Sequence, residues 1–289
     1  MPNPPCVDLA AKLHALRPKL HRFCARMTGS VVDGEDAVQE TLLKALRSAP
    51  DVENVEAWVF RIARNAATDL LRRRARNERP MTEDGDAPAT PDVEIERKQA
   101  LAANVRSFLR LPVGQRCAEI LMDVLGYSLR DIETITGSSV PAIKAALHRG
   151  RIRLSQLSRE PEPTISLAMN SDERRLFERY VEHFNARNFD AVRDLLADEV
   201  RLELVARTRM NGKAEVSTYF GNYAATHDWH FALGTVDGRP ALLARDPRTT
   251  TLEPTYFVLL RFEGDRLVDI RDFRYARYVS EGADVGRAA

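Results

Sequence analysis

The sequence predicts a multi-domain protein in which two all-α domains are followed by an α+β domain. Apolar residues recur at helical spacing from residue 7 to residue 158, whereas the alternation typical of strands predominates after residue 199. Proline-containing segments at 80–97 and 159–170 separate the three blocks and are predicted to be linkers. A chain of 289 residues has room for about two or three domains, and its 44% hydrophobic content suffices for real cores.

Composition excludes several classes of protein. The three cysteines lie far apart, with no CxxC and no Cys/His cluster, so the sequence predicts neither a disulfide framework nor a metal site. No run of about 18 apolar residues occurs, and the first residues contain no long apolar segment, so we expect a soluble, cytoplasmic protein. The net charge of +1 averages an arginine-rich part before Arg159 and a more acidic remainder.

Within the first block, residues 58–79 are predicted to form a helix with one apolar face and many arginines. Ile62, Ala63, Ala66 and Leu70 recur at helical spacing, so this face can pack on a core. The arginines fall on or beyond the other faces: Arg61, Arg64, Arg72, Arg73, Arg74 and Arg76. Such a helix suits a phosphate backbone. A solvated helix end, where arginine complements the helix dipole, explains the pattern equally well.

In the second block, residues 128–153 have the pattern of a helix-turn-helix. Ser128 is placed to cap a short helix, Gly137 to form the turn, and Ser138 or Ser139 to cap the next helix, with Pro141 in its first turn. The predicted buried stripe consists of Val140, Ile143 and Leu147. The predicted exposed basic side comprises Lys144, His148, Arg149, Arg151 and Arg153. The pattern favours a helix docked in the major groove, and a simple helical hairpin with a basic face is the alternative.

The third block changes from helices to strands. Helices are predicted at 171–184 and at 188–196, the second capped by Asn188. Strand patterns follow at 200–205, 229–236, 241–244, 255–262 and 267–275, with a hairpin turn at 263–265. This order predicts two or three helices packed on a curved antiparallel sheet.

Residues 8–158 resemble the extracytoplasmic-function (ECF) group of sigma-70 family RNA polymerase sigma factors. Residues 36–41 read DAVQET, which looks like region 2.2 of that family. The resemblance implies that Asp36, Gln39 and Glu40 bind the β′ clamp helices of core RNA polymerase. From the residues alone, the three polar side chains lie within one helical turn beside an apolar stripe, which is a plausible docking face.

Residues 57–65 read AWVFRIARN and look like regions 2.3 and 2.4, which in the family open the −10 promoter element and capture a flipped base. The preceding loop, about 48–56, would wall the pocket for that base. The implied contacts to the melted −10 strand are Trp58, Arg61, Asn65, Asp69, Arg72 and Arg73. An aromatic ring can stack on an unpaired base, and arginine binds phosphate. Trp58 alone is also explained as an anchor in the core.

Leu111, Pro112 and Arg116 resemble the start of region 4, and 129–151 resembles its helix-turn-helix, ending in LHRGR. The resemblance implies that region 4 contacts the β flap and the double-stranded −35 element. The implied −35 contacts are Ser138, Ser139, Val140, Lys144, His148, Arg149 and Arg151. This chain departs from the family at Ala142, where threonine is common, and at Ala146, where arginine is frequent, which leaves the −35 sequence open.

The acidic segment between the two helical blocks has two explanations. In the family, the acidic inter-region linker threads through polymerase near the RNA path, because acidic residues can mimic nucleic acid. The residues that fit this role are Glu83, Asp84, Asp86, Asp92 and Glu94. They fit plain disorder as well.

The third block resembles the SnoaL-like branch of the NTF2-like fold, a cone of helices on a curved sheet, and the implied role is regulation in cis. The resemblance divides the chain into region 2 (7–79), a flexible acidic linker (80–97), region 4 (98–158), a second linker (159–170) and the SnoaL-like domain (171–279). Enzymes of this fold use Asp or His as acid or base. The candidates are His227, Asp228, His230, Asp269 and Asp272. Tyr223, His227 and His230 form a candidate pocket, although a surface or core role explains these residues more simply.

The sequence thus predicts a sigma factor that binds core RNA polymerase, recognises −10 and −35 elements and initiates transcription under control of its own C-terminal domain. No cofactor, no membrane contact, no separate anti-sigma factor and no enzymatic activity are expected. Two alternatives remain. The C-terminal block could be a small-molecule sensor or a cyclase- or isomerase-like enzyme that controls a DNA-binding half, or the chain could be a repressor-like regulator that does not need polymerase.

Overall fold

The computed structural model describes residues 4–48, 52–77, 105–158, 169–249 and 253–287. The chain divides into two compact units, Met1–Pro163 and Thr164–Ala289. The first unit is entirely helical in its described part, and the second combines helices with one sheet. The predicted fold class, all-α blocks followed by an α+β cone, is confirmed.

The first unit contains six α-helices in its described part. They are α1 (Pro4–Thr28), α2 (Val31–Ser48), α3 (Val55–Asn77), α4 (Val113–Glu119), α5 (Leu129–Thr136) and α6 (Val140–Leu157). A 3₁₀ helix (Val105–Arg110) precedes α4, and a π-helical turn (Ile120–Val124) continues it. The predicted acidic linker, including Glu83, Asp84, Asp86, Asp92 and Glu94, lies outside the described residues.

Glycine allows α1 and α2 to pack unusually closely. A Cβ on Gly34 would lie 2.6 Å from the backbone N and Cα of Ala25, so only glycine fits at this crossing. The short connection between the helices turns at Gly29, whose φ of 71° favours glycine. The tight crossing fixes the orientation of α2, which carries the residues predicted to bind polymerase.

Buried residues of both helical blocks form one continuous core. The Phe23 ring of α1 packs edge to face against Phe60 of α3, with centroids 5.5 Å apart. Phe60 packs in the same way against Tyr127, which precedes α5, at 5.3 Å. Ring pairs of this kind stabilise a core beyond the area that they bury. In this unit, therefore, α3 is packed directly beside the helix-turn-helix.

In its described part, the second unit is a sheet of seven strands, ordered β2-β1-β6-β5-β4-β3-β7, with three α-helices and a 3₁₀ helix (Arg277–Ser280). The strands are β1 (Leu196–Leu204), β2 (Thr208–Asn211), β3 (His230–Val236), β4 (Arg239–Arg245), β5 (Tyr256–Glu263), β6 (Arg266–Asp272) and β7 (Val285–Arg287). The helices are α7 (Ser171–Asn185), α8 (Phe189–Asp194) and α9 (Lys213–Ala224). β1 runs parallel to β6, whereas the other recorded strand pairs are antiparallel.

Most predicted elements of the second unit are confirmed, and the differences are these. The sheet is not purely antiparallel as predicted, because β1 pairs with β6 in parallel, and β1 begins at Leu196 instead of residue 200. The second predicted helix ends at Asp194 instead of 196, because β1 already begins at Leu196. The strand predicted at 267–275 ends at Asp272, where the chain leaves the sheet. Helix α9 and strands β2 and β7 were not predicted, since α9 has a weak apolar stripe and the two strands are short and lie at the sheet edges.

Candidate polymerase and nucleic-acid interfaces

Helix α3 presents a buried apolar face and a polar face, as its sequence predicts. The side chain of Asn54 caps the helix by accepting a hydrogen bond from the backbone N of Ala57, at 2.9 Å. The buried face comprises Val59, Phe60, Ala63, Ala66 and Ala67. Trp58 is half-buried and packs against this core, which supports its role as an anchor. Asn65 and Asp69 lie on the exposed side.

The arginines of α3 bind acceptors inside the first unit. Arg61 donates from Nη2 to the carbonyl of Thr134 at 2.7 Å, and Arg64 donates from Nη1 to the carbonyl of Thr136 at 3.1 Å. The remaining ion pairs are Arg73 with Glu40 (3.0 Å), Arg72 with Asp69 (3.5 Å) and Arg74 with Asp33. The pairs of Arg72 and Arg73 are exposed and therefore weak, whereas the Asp33 carboxylate that holds Arg74 is buried. Sequence periodicity could not reveal the carbonyl contacts, which join residues more than 70 positions apart.

Helix α2 presents a mixed polar and apolar face. Asp36, Gln39 and Glu40 are half-buried on it. Glu40 lies 2.7 Å from Lys44 Nζ and 3.0 Å from Arg73 Nη2, and these hydrogen bonds hold the pKa of Glu40 below its ordinary value. Leu43 and Leu46 are 52% and 47% exposed, so they extend this face instead of joining the core.

The helix-turn-helix has the local geometry that its sequence predicts. Ser128 Oγ accepts from the backbone N of Asp131 at 3.2 Å, while the Asp131 carboxylate accepts from the backbone N of Ser128 at 3.0 Å. Gly137 adopts a φ of 72°, and Ser139 precedes the first turn of α6. The exposed residues of the second helix and its cap include Ser138, Ser139, Lys144, His148 and Arg149.

Arg151 does not lie on the exposed basic side, contrary to expectation. Its side chain is 17% exposed and makes two hydrogen bonds of 2.9 Å to the carboxylate of Asp123. Arg153 is half-buried, and Val140 is half-buried instead of fully packed. The misassignment arose because the acidic partner lies 28 residues earlier, beyond the reach of a pattern read on one helix.

The second unit encloses a network of hydrogen bonds around Asp272. Tyr219 and Tyr223 both donate their hydroxyls to Asp272 Oδ2, at 2.8 and 2.7 Å, and the backbone N of Arg274 donates to Oδ1 at 2.8 Å. The Arg274 guanidinium donates to the Tyr256 hydroxyl at 3.0 Å and to the Asp228 carboxylate at 2.9 and 2.8 Å. Burial raises the pKa of Asp272 above its ordinary value, although these hydrogen bonds oppose the rise.

The candidate pocket of Tyr223, His227 and His230 is not formed. Both histidines are exposed, whereas Tyr223 is buried, so the three side chains do not converge. Asp269 is half-buried and lies 3.7 Å from Arg201. The interior instead holds aromatic rings around Phe184, whose centroid lies 5.0–6.0 Å from those of Phe189, Phe220, Tyr223, Trp229 and Phe231. These rings belong to the buried core of the second unit, and Tyr223 is part of that core.

No helix among the described residues is both long enough and apolar enough to cross a membrane. Within the same part of the chain, no group of three or more His, Cys, Asp and Glu side chains is arranged to hold a metal ion. Cys24 and Cys117 are buried free thiols, and burial raises the pKa of Cys117 to about 11, which leaves it protonated near neutral pH.

Comparison with known proteins identifies the family. Residues 13–77 match the model of sigma-70 region 2, and residues 177–270 match that of the SnoaL-like domain. The ECF RNA polymerase sigma factor SigG of Mycobacterium tuberculosis is 27% identical over 226 residues, which cover 68% of this chain and 61% of that protein. The chain thus spans less than two thirds of that relative.

A shorter relative is covered more fully. The ECF RNA polymerase sigma factor EcfG of Rhodopseudomonas palustris is 33% identical over 147 residues, which cover 48% of this chain and 79% of EcfG. Among solved structures, the M. tuberculosis ECF sigma factor SigJ matches 91% of this chain and 95% of its own, with 19% identity and a TM-score of 0.37. The chain belongs to the ECF RNA polymerase sigma factors and carries a SnoaL-like domain after its sigma regions.

Proposed function

We propose that the protein initiates transcription by binding core RNA polymerase through the exposed face of α2. The carrying observation is that Asp36, Gln39 and Glu40 line a face on which Leu43 and Leu46 are about half exposed, in a chain of the sigma family. Carboxylates beside exposed leucines suit a helical partner, because the leucines lose water on docking while the polar groups set the register. The β′ clamp helices and the β flap of polymerase are the proposed partners.

For the −10 element, we propose contacts from Trp58, Arg61, Asn65, Asp69, Arg72 and Arg73 of α3. Asn65 is exposed and can hydrogen-bond a base that has left the stack. The arginines would bind phosphate after exchanging their present acceptors. Trp58 is anchored in the core and offers only its outer part for stacking.

For the −35 element, we propose that α6 enters the major groove. The proposed contacts are Ser138, Ser139, Val140, Lys144, His148, Arg149 and Arg151. Lys144, His148 and Arg149 are exposed and carry most of this proposal. Arg151 is held by Asp123, so its proposed role is to fix α6 against the π-helical turn that contains Asp123. It would reach phosphate only at the edge of the site.

We propose that the SnoaL-like unit regulates the sigma unit in cis, without enzymatic activity and without a separate anti-sigma factor. The packed aromatic interior and the exposed histidines favour a regulatory role over catalysis. A fold shared with enzymes does not by itself supply an active site.

In vitro transcription with core polymerase and a promoter fragment tests these proposals together. The full chain is expected to bind core and to initiate at the promoter. The double variant Asp36→Ala, Glu40→Ala should lose core binding while it keeps DNA binding, whereas the control Asp265→Ala, at an exposed position of the second unit, should behave as the full chain. A double variant that still binds core would refute the polymerase-docking face, and DNA-dependent repression without core binding would favour the repressor-like alternative.

The same assay tests regulation in cis with a chain that ends at residue 170. Its promoter output is expected to differ from that of the full chain without any added protein. Equal output from the two chains would contradict regulation in cis. Output from the full chain that falls only when a separate anti-sigma factor is added would contradict the proposal that none is needed.

Arg149→Ala is expected to weaken promoter binding and to reduce the dependence of log K on log salt by about one unit, because one phosphate contact is lost. Filter binding or fluorescence anisotropy over a salt series measures this slope. The matched control is Arg175→Ala, an exposed arginine of the second unit, which should leave the slope unchanged. If the salt dependence of log K is the same for Arg149→Ala and for the full chain, Arg149 makes no phosphate contact.

A further inference from the structure

We propose that Arg61 and Arg64 form a latch that holds α3 against the helix-turn-helix and competes with promoter DNA for the polar face of α3. The proposal deepens the proposed function and rests on it, because it assigns a regulatory contact to the −10 surface. In the latched state, the carboxyl end of α5 takes the place of DNA phosphate as the acceptor for Arg61, and Arg64 strengthens the contact from the next turn of α3.

The contact is specific in geometry. Arg61 and Arg64 are three residues apart, so their side chains share one face of α3. They reach Thr134 and Thr136, at 2.7 and 3.1 Å, which are among the last residues of α5. The final carbonyls of a helix lack intrahelical partners and carry partial negative charge. A guanidinium therefore finds at this helix end the kind of acceptor that it finds in a phosphodiester backbone.

Small residues of α6 provide space beside Arg64. Arg64 lines a cavity of about 80 Å³ together with Thr136, Ser138, Ala142 and Ala146. Ala142 and Ala146 are the two positions at which this chain departs from the recognition helix that it resembles. A long side chain at residue 146 would occupy the space that Arg64 borders.

Further contacts hold α3 and the helix-turn-helix together. Tyr127, just before α5, donates its hydroxyl to Glu56 at the start of α3. Lys19 Nζ lies 2.7 Å from Glu56 Oε1 and 4.0 Å from the centre of the Tyr127 ring. The latch therefore belongs to a defined interface between α3 and the helix-turn-helix.

The latch has a direct consequence for DNA binding. While Arg61 donates to Thr134, that N–H cannot donate to a phosphate, and the guanidinium is held at the end of α5. DNA that binds α3 must then break the latch, and the apparent affinity falls with the fraction of open molecules. Arg64 lies outside the proposed set of −10 contacts, so its replacement weakens the latch and leaves that set intact.

The test uses the full chain with Arg64→Gln and two measurements. Hydrogen exchange of residues 134–140 reports the latch, and anisotropy with a 12-nucleotide single-stranded DNA of A and T reports access to α3. We expect faster exchange of these residues and DNA binding that is about three- to tenfold tighter, the range that corresponds to one lost hydrogen bond. Arg175→Gln, which removes an exposed arginine of the second unit, is the matched control and should change neither measurement.

A second variant, Ala146→Met, tests whether the result depends on the particular substitution Arg64→Gln. Ala146→Met fills the cavity with an uncharged side chain that favours a helix, and it should displace Arg64 and shift both measurements in the same direction. Unchanged exchange in both variants would show that no latch exists. Faster exchange with unchanged or weaker DNA binding would reduce the contact to a structural role and overturn the proposal. Failure of the unmodified chain to bind core polymerase would instead refute the proposed function, while the exchange result would still report on the contact.

Discussion

Replacing Arg116 with methionine is expected to lower the free energy of unfolding of the first unit by about 3 kcal/mol. Arg116 is buried, and it donates from Nη1 to the carbonyl of Met27 at 2.7 Å and from Nη2 to the carbonyls of Leu109 and Leu111 at 3.0 and 2.9 Å. Burial lowers the pKa of Arg116 to about 10, so the guanidinium stays charged at neutral pH. Methionine fills similar space and donates to none of these carbonyls.

The loss should appear as a melting temperature lower by roughly 6–12 °C for a unit of this size. Thermal unfolding, followed by hydrogen exchange of the α1 and α4 amides, assigns the change to the first unit. Arg130→Met is the matched control, because Arg130 is exposed on α5, and it should shift the melting temperature by less than about 2 °C. If Arg116→Met and Arg130→Met have the same melting temperature, the hydrogen bonds of Arg116 contribute little to stability.

Arg116 also illustrates what sequence patterns can and cannot predict. The resemblance placed it at the start of region 4, but its bond to Met27 spans 89 positions of the chain. By contrast, the caps at Ser128 and Gly137 were predictable, since a serine cap and a left-handed glycine act within one helical turn. Local chemistry is encoded in neighbouring residues, whereas the partner of a long side chain depends on the whole fold.

The same distinction explains the errors on both interfaces. Arg151 was predicted to be exposed because its helix is basic. The carboxylate that holds it belongs to Asp123, in the π-helical turn that follows α4. Leu43 is apolar and stands at helical spacing, which is typical of a core position, yet its side chain is 52% exposed. The proposed binding depends on exposed leucines and on arginines held by distant acceptors, and neither feature can be recognised without the packed structure.

Asp272→Ala is expected to destabilise the second unit by about 3 kcal/mol, because it leaves two buried tyrosine hydroxyls and one backbone N–H without their acceptor. Asp272 is fully buried, as are Tyr219 and Tyr223. Asp272→Asn is the matched variant, since its amide oxygen can still accept from both hydroxyls. Urea unfolding in a Trp58→Phe background measures the change, since Trp229 then remains as the one tryptophan and lies in the second unit.

The pH dependence of these variants separates a structural role from an acid–base role. Burial raises the pKa of Asp272 in the folded state above its unfolded value near 3.8. A raised folded pKa contributes stability that is complete below pH 3.8 and is lost as pH rises through the folded pKa. Relative to Asp272→Asn, the parent unit should therefore lose stability as pH increases above 3.8. A difference between the two proteins that stays constant with pH would contradict the raised pKa, and an Asp272→Ala variant as stable as Asp272→Asn would show that the hydroxyls find other acceptors.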